Sequence, residues 1–336
     1  MAGALHQHQQ ELAQDQPAMA WWFLSLAFLG ALYAAAFASR LLVSLTLLCL
    51  HPPKPKDLRC YGPWAVVTGP TSGIDRSVAL ELARRGLNLL LVEVANLQEI
   101  SDAVRSRYAV KTAAVVSDLS LDVATPQGAE AARRLQDAVE ALDVGVLVNN
   151  AGVVTPGAVF FHEADVEEWM RMIRVNLWGL TEVTAAVLPG MVRRGRGAVL
   201  NMGSASSEAI PSFPLYTIYT ATKRYVAQFS SSLYAEYSKG IDVQCQAPFF
   251  VATTMVTGFS GIWRPSAFVP TPDAYARAAV PWIGLGRGGP LCVPNLSHRI
   301  LWCLLAAVPG SIHDWVCLRE HLRQRRSMFR KAASLR

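Results

Sequence analysis

Tyr219, in the stretch YTATK, is the only tyrosine of the chain with a lysine four residues on. Positions i and i+4 share a helix face, so the Lys223 ammonium can lie beside the phenol. A neighbouring cation favours phenolate and draws a pKa of about 10 towards the range of a general acid or base. Any helical Tyr/Lys pair meets that spacing, so the pair gains weight only from its company. NNAG (149–152) directly follows one apolar run, NMGSASS (201–207) precedes the tyrosine, and TGPTSGIDRS (68–77) follows the first apolar run. This last stretch has the form Thr-Gly-x-x-x-Gly-x-Gly, a turn that cradles phosphates. Gly69 gives the tight turn, and Gly73 starts a helix whose N–H groups aim at a pyrophosphate. Asp75 stands where the last glycine belongs. Its bulk and charge near the phosphates of a partly dry site cost on the order of a few kcal/mol. The expectation is a weakened site, with an inactive one as the alternative.

The elements around these residues alternate. Apolar runs WAVVT (64–68), LNLLLVEV (87–94), AAVVS (113–117), VGVLV (144–148), AVLNM (198–202) and IDVQCQ (241–246) are separated mostly by helix-length segments, the first from Gly73 to Arg85. Short strands bounded by helices read as βαβ units, hence an α/β fold with a Rossmann-type doubly wound parallel sheet. Ligands then lie beyond the carboxyl ends of the strands. After about residue 255 the pattern loosens.

With these motifs in this order, the chain resembles the short-chain dehydrogenase/reductases over residues 62 to about 260. Within them, TIYTATK, GIDVQCQ and VATTM are most similar to the very-long-chain 3-oxoacyl-CoA reductases of fatty-acid elongation, plant members above all, and that resemblance covers nearly the whole chain. It implies that Tyr219 protonates the alkoxide formed as hydride reaches a carbonyl. Lys223 lowers the tyrosine's pKa and holds the ribose hydroxyls. Ser204 hydrogen-bonds the substrate carbonyl, and Asn176 in RVNLWG kinks its helix and orders a relay water, the bland reading being a polar residue satisfied inside a helix. The family's commoner spacing of thirteen residues from serine to tyrosine selects Ser206, whereas the longer plant-type loop selects Ser204, which also follows its strand in register. The resemblance further implies a cofactor site of Gly69, Ser72, Gly73, Ile74, Asn150, Ala151, Gly152, Lys223 and Thr253, with NADPH bound. Asp118 in SDLS meets the adenine edge or simply caps its turn. Where the family carries an arginine for the 2′-phosphate, this chain reads Glu93-Val94-Ala95-Asn96. An acidic residue at that strand end pairs with free ribose hydroxyls and repels a 2′-phosphate, which argues for NADH or dual use. The implied partners are a long-chain 3-oxoacyl-CoA and the other elongation enzymes. A hydroxysteroid or retinoid dehydrogenase and a catalytically silent elongation subunit are the alternatives.

Composition adds the membrane. Of 336 residues 52% are hydrophobic, the mean hydropathy is +0.25 and the formal net charge is +6. Residues 20–39, AWWFLSLAFLGALYAAAFAS, carry no charge, and a helix of about 20 residues spans the hydrocarbon core. A basic leader is missing from residues 1–19, which hold Glu11 and Asp15, while Arg40, Lys54, Lys56 and Arg59 follow the apolar stretch. This asymmetry predicts an anchor with the catalytic part in the cytosol, and the resemblance places it in the endoplasmic reticulum membrane. The expected division is a polar tail 1–19, an anchor 20–50, a linker 51–61, a catalytic domain 62–260 and a substrate-lid or membrane-associated region 261–336. That last region holds RILWCLLAAVP (299–309), read as an interfacial or buried helix, and a basic tail that meets anionic headgroups or is merely solvated. The basic residues are too dispersed for nucleic acid, and the six cysteines and seven histidines show no metal-ligand spacing.

Overall fold

The structure is a computed structural model that describes residues 21–39, 42, 55–94, 96–155, 157–256, 264–285 and 289–334. The expected polar tail 1–19, Arg40, Lys54, Ala95 and all of the stretch 41–50 except Leu42 lie outside the described residues. The chain divides into two compact units, Met1–Pro52 and Pro53–Arg336. In the first, helix α1 (Trp21–Ser39) has the length and hydropathy of a membrane span, with none of its length buried in protein. Trp21, Trp22 and Phe23 are each at least 70% exposed, the burial expected of a helix whose partner is lipid.

The second unit carries a seven-stranded sheet in the order β3-β2-β1-β4-β5-β6-β7. Its strands are β1 (Trp64–Thr68), β2 (Asn88–Glu93), β3 (Thr112–Val116), β4 (Val144–Asn149), β5 (Gly197–Met202), β6 (Ile241–Gln246) and β7 (Leu291–Cys292). Every pairing is parallel. A parallel sheet needs a crossover between strands, and helices supply it on both faces. One apolar layer joins β1 and β2 to α2 (Gly73–Arg84), α3 (Leu97–Arg107) and α9 (Pro272–Ala279) through Val67, Val78, Leu82, Leu89, Ile100 and Ala276. The opposite layer sets Val66, Leu147 and Val199 against α4 (Pro126–Glu140), α6 (Leu180–Arg194) and α8 (Thr217–Glu236) through Leu135, Val187, Met191 and Leu233. The apolar run 166–194, long enough to cross a membrane, is half buried against this layer. It comprises α5 (Val166–Ile173), a π-helical turn (Arg174–Gly179) and α6.

Strand order reverses between β1 and β4, so the crevice beyond their carboxyl ends is the place for a ligand. Two helices close the described chain, α10 (Leu296–Ala306) and α11 (Gly310–Ser334), bent 119° from one another. The expected basic tail is thus mostly helix. Within the expected linker, Leu58 and Tyr61 are buried, and Lys56 Nζ donates to Tyr61 Oη at 2.6 Å and to Asp242 Oδ2 on β6 at 3.2 Å.

Candidate active site

At the switch point, Thr68 ends β1 and its Oγ1 accepts from the N–H groups of Asn150 and Ala151, both at 3.1 Å. This buried hydroxyl ties the glycine turn after β1 to the NNAG loop after β4. Gly69 and Gly73 have φ of +70° and +59°, the left-handed region where a side chain is strained. A Cβ on Gly69 would also sit 3.0 Å from Ala151 Cα, and one on Gly73 3.3 Å from Thr253 Cγ2. Ser72 is the N-cap of α2, and Ile74 packs beneath it against Met202 and Val251. Among the described residues, the buried Nδ2 of Asn150 has no hydrogen-bond partner. Turn, helix start and orphaned donor together fit a dinucleotide.

Asp75 alone works against that fit. Its Oδ2 lies 2.5 Å from where a Cβ on Gly69 would stand, so the carboxylate folds back over the glycine turn. Burial pushes its pKa well up, Lys223 opposes the shift, and Glu93 adds to it. Glu93 ends β2, half-buried, and accepts from Thr71 Oγ1 at 3.3 Å. Its pKa is raised by burial, partly offset by hydrogen bonds from Thr71 and Val94. Asp118 accepts from the N–H and hydroxyl of Ser120 at 2.8 and 2.7 Å, the geometry of a capped turn. It also lines an open cleft of about 420 Å³ between α4 and α6, away from Tyr219.

The catalytic candidates converge from three elements. Ser204 follows β5 and caps the short helix α7 (Ala205–Glu208), its Oγ 2.7 Å from Ser206 Oγ. Ser204 also lies near enough to Tyr219, at the start of α8, to act on its phenol. One turn after Tyr219, Lys223 is buried and its Nζ donates to Met202 O at 2.9 Å; a Cβ on Gly152 would be 3.5 Å from it. Burial pushes the Tyr219 pKa up, the hydrogen bond from Ser204 opposes that, and the lysine's own pKa is pushed down by burial. This differs from the expectation that the ammonium draws the phenol down. Lys223 faces Asp75 and the Met202 carbonyl, and desolvation outweighs it at the ring.

Asn176 sits in the π turn, whose extra residue rotates it out of the helical register. Its Oδ1 accepts from Val153 N at 2.7 Å, and its Nδ2 donates to Val153 O at 2.8 Å and to Thr222 Oγ1 at 3.2 Å. The asparagine thus pins the loop after NNAG to the tyrosine helix. Thr253, after β6, caps its own turn by accepting from Val256 N at 3.3 Å.

The substrate side is apolar. Tyr219 packs with Val154, Ala158, Leu215 and Tyr216, and Leu322 of α11 closes this cluster. A small cavity lined by Val159, Phe161, Trp169, Met172, Leu215 and Tyr219 adjoins it. Along α11, His321 Nδ1 lies 2.6 Å from Pro214 O, Gln324 Oε1 accepts from Tyr216 Oη at 3.2 Å, and Arg325 pairs with Glu163 at 2.6 Å.

Thr68, Thr222, His321, Leu322 and Gln324 were not singled out from the sequence, and Arg325 only as part of a basic tail. The signal for the threonine of β1 was there, a hydroxyl ending an otherwise apolar strand. The same signal marks Asn149 and Asn201, joined at 2.9 Å between β4 and β5 and carried on to Ser230 of α8 at 2.9 Å.

Comparison with known proteins agrees with this geometry. The family described as short chain dehydrogenase matches residues 63–260. A very-long-chain 3-oxoacyl-CoA reductase-like protein of Arabidopsis thaliana is 38% identical over 94% of this chain and 97% of its own. A protein of Pongo abelii named inactive hydroxysteroid dehydrogenase-like protein 1 is 35% identical over 87% of this chain and 88% of its own. Among solved structures, a short-chain dehydrogenase from Sphingobium yanoikuyae in complex with NADPH superposes with a TM-score of 0.60 at 31% identity, covering 72% of this chain and 92% of that one. Sheet order, glycine turn and the Ser204–Tyr219–Lys223 arrangement lead to the same place as these likenesses: the chain belongs to the short chain dehydrogenase family and is an NAD(P)-dependent oxidoreductase.

Proposed function

We propose that the protein is a membrane-anchored reductase of the 3-oxo group of long or very-long acyl-CoA chains, yielding the 3-hydroxyacyl-CoA of fatty-acid elongation. The observation that carries the reading is Tyr219, with Ser204 beside it, lining a small and mostly apolar cavity. When bound, the nicotinamide supplies the hydride. Ser204 donates to the carbonyl oxygen and fixes it over Tyr219. The phenol, protonated at neutral pH and with its pKa raised further by burial, gives its proton to the oxygen as negative charge develops there. Lys223 and the Asn150–Gly152 loop hold the cofactor's nicotinamide half, Asn176 keeps that loop against α8, and Gly69, Ser72, Gly73, Ile74 and Thr253 form the turn for its pyrophosphate. Leu322, Leu215 and Phe161 shed water from the site and suit an alkyl chain.

The proposed setting is the endoplasmic reticulum membrane, with α1 as the anchor, residues 62–260 as a catalytic domain in the cytosol, residues 261–336 as a lid and membrane-associated region, and other elongation enzymes as partners. Glu93 supports NADH or dual use over strict NADPH, since a carboxylate there repels a 2′-phosphate. The deciding assay is purified protein in detergent with a long-chain 3-oxoacyl-CoA and each cofactor. Turnover with the acyl-CoA supports the reading, and turnover confined to hydroxysteroids replaces it.

A relative of comparable similarity is named inactive, so likeness does not decide activity. Asp75, folded into the glycine turn, favours a second reading as a silent elongation subunit. The discriminating result is failure of both wild type and Asp75→Gly to bind either cofactor.

A further inference from the structure

In a chain whose glycine turn fits a dinucleotide, a carboxylate occupies the turn itself. Asp75 lies on the first turn of α2, with Gly69 beneath it and its Oδ2 2.5 Å from where a Cβ on that glycine would stand. The charges facing it are Lys223 from α8 and Glu93 from β2. Farther out, Asp118 beyond β3 faces Glu93, and Cys245 on β6 faces Lys223. Arg76, the next residue of α2, is turned away to Glu99 of α3 at 3.6 Å, and Asp273 of α9 is held by Ser77 at 2.6 Å. Among the described residues, Asp75 thus faces one cation, Lys223, and a second carboxylate, Glu93. A pyrophosphate arriving at the start of α2 adds negative charge to that deficit, where little water screens it. A neutral carboxyl removes the conflict and adds a donor for a phosphate oxygen.

Resting on the reading that this cleft takes a dinucleotide, we propose that Asp75 sets the cofactor affinity of this chain and couples binding to protonation. NADH or NADPH enters only with the Asp75 carboxyl neutral, so that binding takes up one proton wherever Asp75 is otherwise ionised. The position of the last glycine of the motif becomes a titrating group here. Glu93 acts at the ribose end and is distinct in what it discriminates, the 2′ substituent, whereas Asp75 acts on both cofactors alike.

The test is cofactor binding, not turnover. Full-length protein in detergent is titrated with NADH and with NADPH across pH 5.5–8.5, read by fluorescence and by calorimetry in two buffers of different ionisation enthalpy. For wild type, affinity for both cofactors falls by up to about tenfold per pH unit above the Asp75 ionisation, and the buffer comparison shows one proton taken up. Asp75→Asn, isosteric and uncharged, binds with an affinity that stays flat over this range, and Glu93→Gln keeps the wild-type slope. Equal slopes in wild type and Asp75→Asn overturn the proposal while leaving the dinucleotide reading intact. Absence of binding by wild type, Asp75→Asn and Asp75→Gly at every pH overturns that reading and the proposal with it.

Discussion

Tyr219 and Asp75 are both acids whose pKa burial raises, and the consequences differ. At Tyr219 the shift leaves the phenol, neutral in any case at neutral pH, as the proton donor of the proposed reaction. Tyr219→Phe keeps the ring in its cluster with Leu215 and Leu322 and removes only the hydroxyl. Reduction is expected to fall by about 10²- to 10⁴-fold, with cofactor binding nearly unchanged, as measured by steady-state rates beside fluorescence titration. At Asp75 the cost appears in stability. Its folded-state pKa is raised above the ordinary 3.8, so between those two values the folded chain binds more protons than the unfolded one. Its favourable contribution is full below pH 3.8 and is lost as pH rises through the folded value. Lys223, with a lowered folded-state pKa, works in the opposite sense towards its ordinary 10.5. Thermal melts at pH 5 and pH 7.5 are therefore expected to show a larger loss for wild type than for Asp75→Asn. An equal loss in the two proteins removes the buried charge as its cause.

At the scale of elements, the site depends on short polar ties between neighbouring segments. Thr68 holds two N–H donors of the NNAG loop. Thr68→Val keeps the shape and orphans both, at about 1–3 kcal/mol each, which urea denaturation reads as a lower midpoint. Weaker cofactor binding should accompany it, because the loop is the one Asn176 also pins. The six longer strands were legible from apolar runs bounded by turns, and β1, β2, β4 and β5, buried along nearly their whole length, hold little else. Gly69, Gly73, Tyr219 and Lys223 were legible because their spacing follows from a turn and a helix. β7 is too short to leave a pattern, and the inward role of α11 was hidden by its composition. Five basic residues between 323 and 331 read as a surface tail, yet Arg325 is turned onto Glu163 with its guanidinium over Phe160 and Phe329. Long basic side chains carry enough apolar stem to pack, and no local periodicity announces which of them do. The π turn was foreseen only as a kink at Asn176, because an inserted residue shows itself through its partners, here Val153 and Thr222.

For the molecule as a whole, α1 exposes a continuous apolar surface over a length that matches a bilayer. The protein is expected to stay with membranes through alkaline carbonate extraction, and deletion of residues 1–50 is expected to weaken that retention. Protease added to intact microsomes should cut the catalytic part if it faces the cytosol, and its protection would reverse the proposed orientation. The contacts of α11 have a consequence for how such a protein is made. Pro214 and His321 meet across 107 residues of chain, and Ser212 meets Asp314 across 102. The apolar surround of Tyr219 is thus assembled from α8 and from a cover, α11, made well after it. At about 5–20 residues per second, a translating ribosome needs on the order of 5–20 s between making Pro214 and making His321. During that interval the nascent chain displays the uncovered apolar wall around Leu215 and Tyr216, which makes a chaperone's attendance most needed after the sheet has formed and before synthesis ends.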